Sequence, residues 1–188
     1  MKRREMVREL QSSFRVMSVP TFPRNEESLD SSPVRLDLAE RWMDRILDVC
    51  REGVRDGQAP FAAAVVRHDG EIIATAHNTV RRSGQPSRHG EVNAIDSACR
   101  ILDQPQLEGL VLVSTGEPCP LCAAMAAEVK IADIVFGAPR DVIEQAGYQT
   151  LGVDCKDLFH SIGQKVRIVR NVRYDQCRQL LLQNPQTE

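Results

Sequence analysis

Four residues in this sequence have the types and spacing needed for metal-assisted hydrolysis. His89 and Glu91 flank Gly90, and further on Cys119 and Cys122 close the run Glu117-Pro118-Cys119-Pro120-Leu121-Cys122. One imidazole and two thiols make three ligands for zinc (Zn2+), and a catalytic zinc keeps its remaining position open for water. Zinc lowers the pKa of that water toward neutrality. Glu91 is not needed as a ligand, and its place beside His89 suits it to move protons on the water. Two other readings of the C-x-x-C stand beside this one. Half of a structural zinc ribbon would need a second pair, and no other C-x-x-C or H-x-x-x-H occurs. A redox pair is the other reading, and the prolines on both sides of Cys119 and the matched His-x-Glu weigh against it.

The elements that must hold these residues can be read from periodicity. Cys119 and Cys122 fall at the start of a helix predicted over Cys119 to Lys130, so both thiols share a face. Pro118 and Pro120 suit a helix entry, where a missing N–H costs little. The free N–H groups and the positive end of the helix dipole favour thiolates. His89 also opens a helix, carrying Val92, Ile95, Ala98, Cys99 and Leu102. Two helix N-termini are thus expected to aim at one point. Before them, Leu38, Trp42, Ile46, Val49 and Val54 predict a helix. Phe61 to Val66, the Asp69-Gly70 turn and Glu71 to Ala76 predict a hairpin. After them come strands at Leu110 to Ser114, Ile131 to Gly137 and Lys165 to Val172. Helices are predicted near Asp141 to Ala146 and over Tyr174 to Gln183, with an irregular stretch up to Gly163. Helical crossovers favour parallel pairing in the later strands. The expected class is α/β, a three-layer α/β/α arrangement with a mixed five-stranded sheet and helices on both faces.

Length and charge bound the rest. The chain has 188 residues, enough for one domain with a good-sized core plus an arm. With 24 basic and 26 acidic residues, no global field draws it to nucleic acid or a membrane. No apolar run is long enough to span a bilayer, and Arg8, Gln11 and Arg15 interrupt any export-signal core after the basic start. The expected location is cytoplasmic. A single tight C-x-x-C fits a metal site in a reducing compartment better than a disulfide framework. Residues 1–34 read as a flexible extension: a short apolar spacing over Met6, Leu10, Phe14 and Met17, then a polar Pro-rich linker. Residues 35–188 form the expected domain.

Pro60-Phe61, His77-Asn78, His89 to Ile95, Glu117 to Cys122 and Val135-Phe136-Gly137-Ala138 together resemble the cytidine and nucleobase deaminase superfamily. The zinc motif has the form H-x-E … P-C-x-x-C that marks zinc deaminases. The resemblance implies a cytidine deaminase-like fold, zinc on His89, Cys119 and Cys122, and Glu91 as proton shuttle. It implies contacts to the base from Asn78, which could equally be a turn residue. Ala62 and Ser114 could line the same pocket. Relatives form homodimers, and the Ala-rich zinc helix would allow close approach.

The branch is narrower ground. Pro60-Phe61, His77-Asn78 and Asp141 to Tyr148 look like bacterial guanine deaminases and related nucleobase or nucleoside deaminases. Tyr148 would then help enclose the base. Gln149 and Thr150 stand where that branch carries acidic residues to read guanine N–H groups. The expected activity is hydrolytic deamination of a small aminated heterocycle, a free nucleobase or nucleoside, with guanine as the single best candidate. A tRNA adenosine deaminase and a cytosine-type deaminase are the enzyme alternatives. The characteristic Gly-Ala-Ala-Gly-Ser tract of the tRNA enzymes is absent here. A non-catalytic zinc scaffold is the alternative of another class, and it would have no use for Glu91.

Overall fold

The computed structural model describes residues 33–186. The apolar spacing over Met6 to Met17 and most of the linker lie outside the described residues. The first described helix, α1 (Leu36–Arg55), leads into a hairpin of β1 (Ala62–Val66) and β2 (Ile72–His77). A short helix α2 (Val80–Ser83) precedes α3 (Gly90–Leu102), β3 (Val111–Gly116), α4 (Pro120–Glu128) and β4 (Asp133–Ala138). Then come α5 (Arg140–Gln145), α6 (Cys155–Ser161), β5 (Arg167–Val169) and α7 (Tyr174–Gln183).

The five strands lie in the order β2-β1-β3-β4-β5. β1 pairs antiparallel with both β2 and β3, whereas β3–β4 and β4–β5 are parallel. Parallel pairing follows from α4 and the α5–α6 tract, which carry the chain back to the start of the next strand. The central strands are buried on both faces, and their side chains divide by alternation. Ala63, Val65, Leu112, Ile134 and Phe136 pack under α3, α4 and α6. Ala64, Val66, Val111, Val113 and Val135 pack under α1, α5 and α7. Near-continuous apolar strands are what a sheet covered on both sides requires. The expected three-layer α/β/α architecture and mixed five-stranded sheet are present. Among the described residues no helix is long and apolar enough to cross a membrane.

Two details differ from the sequence reading. The stretch before Gly163, read as irregular, contains α6. Cys155 and Phe159, one turn apart, are both buried in the α3–α4 layer, and burial there outweighs the weak local signal. Positive φ at Leu151 and Gly152 turns the chain just before it. Strand β5 is only three residues long, because the chain leaves the sheet after Val169 and turns through positive φ at Asn171 and Arg173.

At the far end of the sheet Asp133 is fully buried and takes a bidentate pair from Arg167, with His68 Nε2 at 3.0 Å. That cluster ties the hairpin turn to β4 and β5. At the other end α3 lies tightly on β1. A Cβ on Gly90 would sit 2.9 Å from Ala62 Cα and 3.2 Å from the Phe61 carbonyl oxygen. Glycine between His89 and Glu91 is therefore a packing requirement. Gly90→Ala is expected to lower stability by about 1–3 kcal/mol, as overpacking does. Thermal unfolding would show a reduced midpoint, and an unchanged midpoint would mean that α3 has room to move.

Candidate active site

His89 occupies the N-cap of α3 and Cys119 the N-cap of α4, both with extended backbone, so the two helix starts converge as expected. Pro120 is the first helical residue of α4 and needs no N–H partner there. Cys122 follows one turn into the helix and is fully buried. His89 Nδ1 lies 3.6 Å from Cys119 Sγ and 3.4 Å from Cys122 Sγ, and the two sulfurs are 3.7 Å apart. Tetrahedral zinc, with bonds of about 2.3 Å to sulfur and about 2.0–2.1 Å to nitrogen, spaces its ligands by roughly 3.5–3.8 Å. These donors therefore fit zinc without rearrangement. All three ligand atoms lie within 4.8 Å of one another, and among the described residues this is the one such cluster of His, Cys, Asp and Glu.

The electrostatics fit the same use. The Cys119 thiol is drawn down to about 4 by its hydrogen bond with Cys122, with the His89 ring assisting, while that same bond and burial push the Cys122 thiol up, so the pair offers one thiolate at neutral pH before any metal binds. Glu91 lies in the first turn of α3, only 4% exposed. Burial lifts its carboxyl above the usual carboxylate range, and the Cys119 charge adds to that. A carboxyl tuned upward is suited to taking and returning a proton near neutral pH.

A cavity of about 210 Å3 opens over these groups, with His89, Glu91 and Cys119 in its lining. Phe61, Ile143 and Tyr148 supply apolar surface, while Asn78, Gln149 and Thr150 supply polar groups. The rings of Phe61 and Tyr148 meet edge to face, with centroids 4.9 Å apart.

The other candidate residues divide between the cavity and the layer behind it. Asn78 lines the cavity and is also a turn residue, because its Oδ1 accepts the Val80 N–H at 3.0 Å. Tyr148 lines it through its ring, while its hydroxyl donates to the Asn184 carbonyl at 2.7 Å. Ser114 and Ala62 stand one layer back from the lining residues. Ser114 is fully buried and donates to Glu91 Oε1 at 3.0 Å, so it reaches the cavity only through Glu91. Ala62 is covered by Gly90, and its N–H donates to Thr115 Oγ1. A strand end that a helix start rests on has no surface left for a ligand.

Several lining residues carried no role in the sequence reading. Gln186 reaches the cavity because the C-terminal segment folds back, its N–H donating to the Ala146 carbonyl. Nothing in a polar tail marks that return. Asn93 does not line the cavity, yet its Nδ2 donates to the His77 carbonyl, Thr79 Oγ1 and the Arg88 carbonyl. It thereby ties the loop carrying Asn78 to the helix carrying His89 and Glu91. An asparagine inside an amphipathic helix face was the available signal.

Comparison with known proteins agrees with this geometry. The family model of the cytidine and deoxycytidylate deaminase zinc-binding region matches residues 36–138. Guanine deaminase of Bacillus subtilis is 34% identical over 110 residues, 58% of this chain and 70% of that protein. The tRNA-specific adenosine deaminase of the same organism is 36% identical over 99 residues, which are 53% of this chain and 61% of that protein. The solved structure of guanine deaminase from Nitrosomonas europaea superposes with a TM-score of 0.72, covering 77% of this chain and 83% of that one at 24% identity. That likeness speaks for the fold. The chain belongs to the cytidine and deoxycytidylate deaminase family, whose members are hydrolytic deaminases built around a zinc-binding region.

Proposed function

We propose that this protein hydrolyses the amino group from a free purine base, with guanine the favoured substrate, and releases ammonia. The observation that carries the small-molecule reading is the cavity itself. At about 210 Å3, walled by Phe61, Tyr148 and the returning Gln186, it is below the usual range for drug-sized ligands and suits a single base. The likeness to the Bacillus subtilis guanine deaminase supports the choice of base.

His89, Cys119 and Cys122 would hold the metal. Zinc supplies a nucleophile at neutral pH and stabilises developing negative charge. Glu91 accepts a proton from the incoming water and passes protons to the ring nitrogen and the departing amine. Ser114 holds the Glu91 carboxylate in place through Oε1. The Asn78 amide, anchored at Oδ1 by Val80, leaves Nδ2 to orient the base. Phe61 and Tyr148 confine the ring and exclude bulk water. The protein would work in the cytoplasm, where its ligand thiols stay reduced, and as a homodimer.

A second reading, deamination of adenosine in tRNA, is favoured by the identity to the Bacillus subtilis tRNA-specific enzyme. Ammonia release from guanine, adenine, cytosine, their nucleosides and a tRNA anticodon hairpin separates the readings. We expect release from guanine above all others. Activity on the hairpin alone would overturn the small-molecule reading, and activity on cytosine alone would move it to the pyrimidine branch. No release from any of them, with zinc bound, would leave a scaffold.

A further inference from the structure

We infer that Glu117 is a positioning residue for substrate recognition, its carboxylate fixing the segment with Tyr148, Gln149 and Thr150 against the metal loop. This rests on reading the cavity as the base-binding site.

That segment runs between α5 and α6, and neither helix has a side-chain cap of its own. Pro139, at the N-cap of α5, has no side chain that could accept. Asp154, at the N-cap of α6, has its carboxylate turned to Arg140 Nε. The first N–H of each helix goes instead to the same distant carboxylate. The Arg140 N–H donates to Glu117 Oε2 at 3.1 Å, and the Cys155 N–H donates to Glu117 Oε1 at 3.2 Å. Glu117 stands just ahead of Cys119, and its own N–H donates to the Ala138 carbonyl at 2.8 Å. Its side chain is 4% exposed, with Arg170 3.9 Å away to balance the charge. A buried anion bridging two helix N-termini is favoured by both dipoles and by charge-assisted hydrogen bonds.

The connection continues into the cavity wall. The Arg140 side chain also holds Glu144, at 2.9 Å, and the Thr150 hydroxyl donates to that same Glu144 oxygen. One line of polar contacts therefore runs from Glu117, which itself borders the cavity beside the metal ligands, to Thr150 in the cavity wall. A carboxamide cannot reproduce the bridge. It has a single acceptor oxygen, so one of the two helix N–H groups would face an NH2 group.

Amide hydrogen exchange and steady-state kinetics on full-length, zinc-loaded protein test this. In Glu117→Gln we expect faster exchange at Arg140, Cys155 and across 146–154. KM for guanine should rise about tenfold, the scale of one lost hydrogen bond to a charged group, with kcat moving far less. Glu144→Ala keeps both backbone bonds to Glu117 and the Arg140–Asp154 pair but cuts the side-chain line to Thr150, so it should raise KM and leave exchange at Cys155 unchanged. Zinc content should be unaltered in both. If kcat falls with KM and zinc is lost, Glu117 acts on the metal loop and the inference is wrong. Unchanged exchange across 146–154 in Glu117→Gln overturns it as well. Exchange needs no turnover, so it decides the positioning even if the wild type proves inactive on guanine.

Discussion

Glu91→Gln should leave zinc bound and cut turnover about a thousandfold, within the range that a positioned general acid–base group supplies. The change is nearly isosteric. The carboxamide would still offer an oxygen to the Ser114 hydroxyl, which lies 3.0 Å from Glu91 Oε1, so the side chain keeps its anchor. It would not disturb the ligand set, because His89, Cys119 and Cys122 form the cluster without it. The amide cannot accept the proton of the attacking water or return one to the ring. Stability should not suffer, since burial already disfavours charge at this position and a neutral side chain escapes that cost. Metal analysis, kcat on the preferred base and a thermal melt read the three parts separately. Wild-type kcat in a zinc-loaded variant would remove Glu91 from the chemistry. Loss of zinc would make it a structural support for His89.

How much of this was legible in the sequence depends on whether the signal is local. His89, Glu91, Cys119 and Cys122 form a short pattern whose chemistry is nearly unique, and the structure brings the three metal-binding atoms together. The strands were legible because apolar runs bounded by turns have few other uses. Local spacing carries no information about what a side chain meets from a distant element. Ser114 and Ala62 belong to strand ends near the site, but which face they show depends on where α3 lands. Glu117 was visible as part of a motif, while its two N–H partners lie at Arg140 and Cys155, in a tract with weak periodicity. Gln186 needed the fold of the tail. The tract between Pro139 and Gly163 was hardest to read because its order comes from such contacts and little from propensity.

The second large effect concerns the metal, and the cysteines allow a controlled experiment. Six are free among the described residues, and four of them are fully or almost fully buried. Burial is the largest cause that pushes the thiols of Cys50, Cys155 and Cys177 upward, each to about 12. Such thiols stay protonated and act as small apolar side chains. Cys119 goes the other way because Cys122 and His89 surround it. Cys122→Ala removes one of three ligands and leaves a His–Cys pair, too few for a closed tetrahedral site. We expect zinc to be lost on dialysis against a chelator and activity to fall at least a hundredfold, since the metal supplies the nucleophile. Chelated wild type should lose activity in the same way and regain it with added zinc, whereas chelated Cys122→Ala should not. Cys50→Ala is the matched control: an equally buried thiol is removed from the α1 side of the sheet, so folding stability falls while zinc and turnover per folded molecule remain. Equal loss of zinc from both variants would mean that metal retention tracks general stability. Full activity in metal-free Cys122→Ala would mean that zinc does not supply the nucleophile, and the proton chemistry at Glu91 would then need another source of it.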